Sequence, residues 1–190
     1  MIRCQGFDLT SLSIPNFSVG IGCIGRLQMP KCDGLHHLQI GHDFHAMCQI
    51  LTGQRRHPHV SIEAKSTEMV NVLSNEETTV GDWLQRYQLR NDLSKLILER
   101  LSLKVDTSTG ILPGTTRALL GLEIAFQLSS LVVVHFVLDP LGLIKARSHL
   151  GAFGTEHATI EVLGARGNSL DAYKGSDVIN IAIKDETKCL

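Results

Sequence analysis

The sequence predicts an α+β fold: a single compact domain over residues 1–190 in which a mixed or antiparallel sheet packs against a long amphipathic helix at about 80–104. Short runs of alternating apolar and polar residues near both ends of the chain predict the strands, and a helix-spaced apolar stripe in the middle predicts the helix. The 190 residues, 43% hydrophobic and 19% charged, lie in the globular range and supply enough chain for one core.

The elements follow in order. Ile2 to Leu12 and Phe17 to Met29 alternate around Ser13-Ile14-Pro15-Asn16, a turn composition, and read as a strand pair. Leu35, Leu38, Ile40, Phe44, Met47, Ile50 and Leu51 recur at threes and fours up to Gly53, which predicts a helix over 35–52. His59 to Ala64 places Val60, Ile62 and Ala64 on one face, as a half-buried strand would. Thr79-Val80-Gly81-Asp82 has the form of a capping box. Behind it Leu89, Leu93, Leu96, Ile97 and Leu101 make one stripe with Trp83 at its edge, and these define the long helix. Residues 106–114, rich in Thr, Ser, Gly and Pro, read as a flexible tip. Arg117 to Leu128 has helical density. Leu131 to Leu138 reads as a buried central strand that Asp139-Pro140 ends. His157 to Leu163 and Val178 to Lys184 read as strands joined by the glycine-rich loop from Gly164 to Gly175.

Composition narrows function. Eighteen Lys and Arg balance nineteen Asp and Glu, a net charge of -1, so no global field draws the chain to nucleic acid or anionic lipid. The five cysteines, Cys4, Cys23, Cys32, Cys48 and Cys189, are odd in number with no CxxC pair, which points to free thiols in a reducing compartment. Neither a leader at the N-terminus nor a prenylation box at Lys188-Cys189-Leu190 is present, so the expected location is cytoplasm or nucleus. The apolar run Ala118 to Leu138 approaches spanning length, but Glu123, Gln127, Ser129, Ser130 and His135 interrupt it and favour a buried helix and strand.

Each candidate site has a plainer structural reading. Gly20-Ile21-Gly22-Cys23-Ile24-Gly25 matches the dinucleotide fingerprint, yet Pro30 follows too soon for the required helix, and a glycine-softened strand or bulge fits better. Six of the nine histidines lie between His36 and His59, among Cys32, His36, His37, His42, His45, Cys48, His57 and His59. On a helix His42, His45 and Cys48 drift around one broad face, where two of them could share a metal ion such as zinc; the spacing matches no closed zinc pattern, and a solvated helix face or a pH-sensitive contact surface is the alternative. No nucleophile elbow occurs, and Asp139, Asp171 and Asp177 suit turns. Arg55, Arg56, Arg86, Arg90, Lys145, Arg147, Arg166 and Lys174 are scattered; convergence of the last four would make a phosphate or headgroup contact. No catalytic, cofactor-binding or metal-binding residue is therefore assigned, and no cofactor is expected.

The order of elements from Phe17-Ser18-Val19 through Gly25-Arg26-Leu27-Gln28-Met29, a helix to Leu51 and the strand from His59 to Ala64 resembles the opening of rhabdovirus matrix proteins, particularly those of plant-infecting members. The basic N-terminal arm and the proline-tyrosine budding motif of animal-virus members are missing. The resemblance implies a non-enzymatic virion assembly protein that self-associates, bridges nucleocapsid and membrane surface, and resides in the host cytoplasm, nucleus or virion. Edge strands or the loop 164–176 would serve self-association. Leu131 to Asp139, Leu150-Gly151, His157 to Leu163, Ser169-Leu170-Asp171 and Val178 to Ile183 resemble, in turn, the core of plant-virus movement proteins of the thirty-kilodalton superfamily, which implies single-stranded nucleic acid as a partner. A small zinc-stabilised interaction module is the remaining alternative.

Overall fold

The computed structural model describes residues 1–30, 37–164 and 178–183. Two sheets organise them: a four-stranded antiparallel one and a five-stranded parallel one. In the first, β1 (Ile2–Asp8) pairs with β2 (Leu12–Val19) and β4 (Val60–Ile62), and β2 with β9 (Ala182–Ile183). The hairpin reverses at Leu9–Ser11, where Leu9 N–H donates to Leu12 O at 2.8 Å. Ser13-Ile14-Pro15-Asn16, expected to turn, lies inside β2; the register simply skips Pro15, which has no N–H to give.

The second expected strand is also interrupted. At Gly20–Cys23 the chain turns, with Gly22 at φ +79 and its N–H on His157 O at 2.9 Å, and β3 (Ile24–Gln28) enters the other sheet. Gly25 lies so near Val19 that a Cβ would sit 2.5 Å from its methyl. The glycines of the fingerprint-like run thus make a tight passage between sheets.

Every pairing in the five-stranded sheet is parallel: β3 with β7 (Ala158–Leu163) and β8 (Val178–Asn180), and β6 (Leu131–Val134) with β5 (Ser66–Glu68) and β7. The α+β expectation holds at that coarse level, as a domain of helices and sheets with both kinds of pairing. Its single mixed or antiparallel sheet is corrected to one antiparallel and one parallel sheet. Parallel neighbours need crossover connections, which is where the helices go. They are α1 (His37–Leu51), α4 (Gly114–Leu128) and α5 (Pro140–Phe153). All four residues of β6 are buried, as befits a strand covered on both faces.

The long helix at 80–104 is corrected too. It is two helices, α2 (Val80–Arg86) and α3 (Asn91–Leu101), separated by Gln88 at φ +52. Trp83 and Leu84 of α2 and Ile97 of α3 are buried in one cluster with Leu120 and Ile124, and Leu89 and Leu101 pack against it. One apolar stripe therefore runs across a backbone break. The capping box is present, with Asp82 N–H on Thr79 Oγ1 at 3.2 Å and Thr79 N–H on Asp82 Oδ2 at 2.7 Å. The tip at 106–114 carries a 3-10 turn at Thr109–Ile111, where buried Thr109 bonds the carbonyls of Asn75 and Thr78.

Further along, the strand expected to reach Leu138 ends at Val134, and Asp139-Pro140 starts α5: Asp139 Oδ1 accepts from Gly142 N–H at 2.8 Å and Pro140 fills the first helical turn. The run Ala118 to Leu138 divides into α4 and β6, and among the described residues no helix is long and apolar enough to cross a membrane.

Candidate functional site

Beyond the carboxyl ends of β5 and β6 lies a cavity of about 490 Å³. Phe44 and Cys48 of α1 form one wall, Glu68 to Val72 a second, Gly114, Arg117 and Ala118 of α4 a third, and Val133 with His135–Leu138 the floor. Ligands of parallel α/β sheets collect at this edge, because crossover helices begin there and leave a crevice between them.

Its polar groups are few and mostly committed. His135 directs Nδ1 to Val162 O at 2.8 Å, which holds that nitrogen as the donor, and Phe44 meets the ring edge-on at 5.0 Å. Burial and the neighbouring Glu68 carboxylate push the Cys48 thiol up to about 12, so it stays protonated. An inert thiol is the consequence. Arg117 extends from the first turn of α4, one Nη1–H donating to Leu112 O at 2.6 Å. The N-cap of α4 is Pro113, which offers no side-chain acceptor to the helix's first amides.

Among the described residues the histidine cluster does not converge. His42 and His45 are exposed on α1, His45 against Gln49 at 3.0 Å, while Cys48 is buried toward the cavity. His57 and His59 lie beside β1, with rings 5.5 Å apart and His59 Nδ1 2.6 Å from Gly6 O. Burial, then His59 and Arg55, hold His57 below its ordinary 6.5. Among the described residues no group of three His, Cys, Asp or Glu could hold a metal ion. Cys32, His36, Asp171, Asp177, Arg166, Lys174, Cys189 and most of the glycine-rich loop lie outside the described residues, and with them the conditional convergence of Arg166 and Lys174 with Lys145 and Arg147.

Sequence reasoning missed two buried carboxylates that hold ion pairs. Glu161 on β7 takes Arg147 at 2.6 Å and Arg26 at 3.2 Å, so Arg147 is committed inside the domain. Glu123 on α4 takes His149 at 2.7 Å and Arg100 at 3.1 Å. The cavity itself was missed because Glu68, Arg117 and His135 lie far apart in the chain. The one available signal was a strand ending in His135-Phe136 ahead of a capped helix.

No protein-family model matches the chain, and no curated protein matches it by sequence. Solved structures do share its fold. An ATP-binding cassette of an ABC transporter in its ADP conformation superposes with a TM-score of 0.66 at 15% identity, covering 88% of this chain and 82% of that one. A nucleotide-free ATP-binding cassette gives 0.62 at 14%, covering 87% and 81%. An ABC-transporter ATP-binding protein from Pyrococcus furiosus gives 0.61 at 12%, covering 94% and 96%. At these identities the likeness is one of fold.

These neighbours overturn the matrix-protein resemblance. With it fall the non-enzymatic virion assembly role, the nucleocapsid as the expected partner and the movement-protein alternative, and the virion or nucleus as location is left without support. The fold is that of ATP-binding cassettes, so the reading of the chain as a non-enzyme does not stand either. A strand-helix-strand opening is common to many sheets; here β3 pairs in parallel with β7 and β8.

Proposed function

We propose that this chain is a cassette-type, nucleotide-binding domain of a membrane transport assembly, with residues 1–190 as one domain, the cavity beyond β5 and β6 as its nucleotide site and a membrane-spanning protein as its partner. The observation that carries the reading is the hollow carboxyl edge of the parallel sheet, in a fold shared over most of the chain with ATP-binding cassettes. About 490 Å³ is the size of a small-molecule site. Arg117 supplies positive charge, and the side-chain-uncapped start of α4 adds the positive end of a helix dipole, both suited to a phosphate. Phe44 and Phe136 give the apolar surface a base stacks on. Among the neighbours, an inward-facing metal-chelate type ABC transporter superposes at a TM-score of 0.63 and 14% identity, which supports a membrane-spanning partner and a position at the membrane's cytoplasmic face.

Magnesium-bound ATP, as P-loop proteins hold it, does not fit these residues. That mode needs G-x-x-x-x-G-K-[ST], whose lysine reaches the phosphates and whose hydroxyl binds the ion; no glycine in this sequence is followed by lysine. No catalytic step is derived through it.

Fluorescence anisotropy with a labelled adenine nucleotide tests the reading on the full chain. The expected outcome is saturable binding that unlabelled ATP or ADP reverses. Absence of saturable binding would remove the nucleotide from the proposal.

A further inference from the structure

We infer that the cavity takes its nucleotide without a divalent cation, an inference that rests on the nucleotide reading above. Magnesium asks for near-octahedral oxygen ligands, including one or two carboxylates. P-loop nucleoside triphosphatases supply them from the loop's Ser or Thr and from an aspartate on a neighbouring strand. In this chain the carboxyl end of β6, the strand that floors the cavity, carries His135 and then buried Phe136. His135 is held by its 2.8 Å bond to Val162 O, so its ring is fixed as a nitrogen donor set and offers no oxygen. Among the described cavity-lining residues Glu68, at the end of β5, is the one carboxylate; the Cys48 thiol lies beside it, and no serine or threonine hydroxyl joins it there. The sequence has no G-x-x-x-x-G-K-[ST] anywhere to contribute the missing hydroxyl and lysine. The phosphate's charge is then met by Arg117 and the start of α4. This counter-charge is modest, and it suits a nucleoside mono- or diphosphate better than a triphosphate.

The test is the affinity of the full chain for labelled ADP and ATP, measured in excess EDTA and again in excess magnesium. Dissociation constants equal within about twofold in the two buffers, with ADP bound at least as tightly as ATP, are expected. Binding that is about tenfold tighter in magnesium would overturn the inference while leaving the nucleotide reading intact. No saturable binding in either buffer would overturn that reading and the inference with it. Two variants sharpen the result. His135→Asp places an oxygen ligand at the end of β6 and should make affinity rise with magnesium; an unchanged response would count against the assignment of this position. Arg117→Gln, at a half-buried position where folding is less at risk, should weaken binding about tenfold in both buffers. If it weakens binding only in magnesium, the cation is part of the site and the inference fails.

Discussion

Glu123 is fully buried in α4, and its charge is held by residues of two other helices, Arg100 of α3 and His149 of α5. Phe153 closes the group from outside: the Arg100 guanidinium lies 4.5 Å over its ring and His149 tilts against it at 4.6 Å. Taking two charges out of water is costly, so a buried pair is weak evidence of net stability, but removing one partner leaves the other stranded. Glu123→Ala should therefore destabilise the domain by about 3–5 kcal/mol, whereas Glu123→Gln, which keeps an acceptor for both donors, should cost less. Urea unfolding followed by circular dichroism checks this, and equal midpoints for wild type and Glu123→Ala would show that the three-helix tie is not structural. None of it was legible in the sequence. Glu123 read as an interruption of an apolar run and Arg147 as a surface cation, because no spacing rule joins residues 100, 123 and 149, or 26, 147 and 161, before the sheet is closed.

At the scale of elements, what periodicity could reach was largely readable: the alternation of β1, the β-branched run of β6, the stripe of α1 and the capping box of α2. The failures have physical causes. β5 is only Ser66–Glu68, a polar strand held by pairing to β6, and carries no apolar pattern to see. α5 was hidden by treating Pro140 as a stop, although a proline at the first helical position after an aspartate is a start. The α2–α3 break falls at Gln88, which neither glycine nor proline announces. Gly121 shows how closely elements meet. On α4 it faces the chain leaving β5, and a Cβ there would stand 1.9 Å from Val70 O, a backbone atom that cannot step aside. Alanine would gain about 1 kcal/mol in helix propensity, but overpacking against backbone costs about 1–3 kcal/mol or more. Gly121→Ala should thus lower the thermal midpoint, where the same change at exposed Gly41 of α1, with open space around it, should raise it. Calorimetry of the two variants decides, and a raised midpoint for Gly121→Ala would mean that α4 sits farther from Val70 than described.

Over the whole molecule, what the sequence hid was pairing between distant segments. β3 lies between β7 and β8, more than a hundred residues downstream, and the strand predicted from Val178 to Lys184 splits so that β8 joins the parallel sheet and β9 the antiparallel one. The order of local elements could not distinguish that arrangement from a matrix-like opening, and the site formed at its carboxyl edge was out of reach for the same reason. The stability of the assembled domain should depend on pH through two histidines. His157, at the approach to β7, stacks flat on Phe126 at 4.5 Å and leaves Nδ1 buried without a hydrogen-bond partner. Burial holds it below 6.5, although Glu156 and Glu123 pull the other way, and His57 is held below 6.5 as well. A histidine whose folded pKa is depressed binds its proton more readily in the unfolded chain. Its contribution is present above about 6.5 and is lost as pH falls through the folded value. His57, half-buried against Phe7, contributes in the same direction. The urea midpoint is accordingly expected to fall between about pH 7.5 and pH 5.5, a window in which ordinary carboxylates stay ionised. His157→Phe, which keeps the stack on Phe126 and removes the titrating nitrogen, should flatten much of that fall. A midpoint independent of pH in the wild type, or a fall undiminished in the variant, would place the acid sensitivity elsewhere than this buried ring.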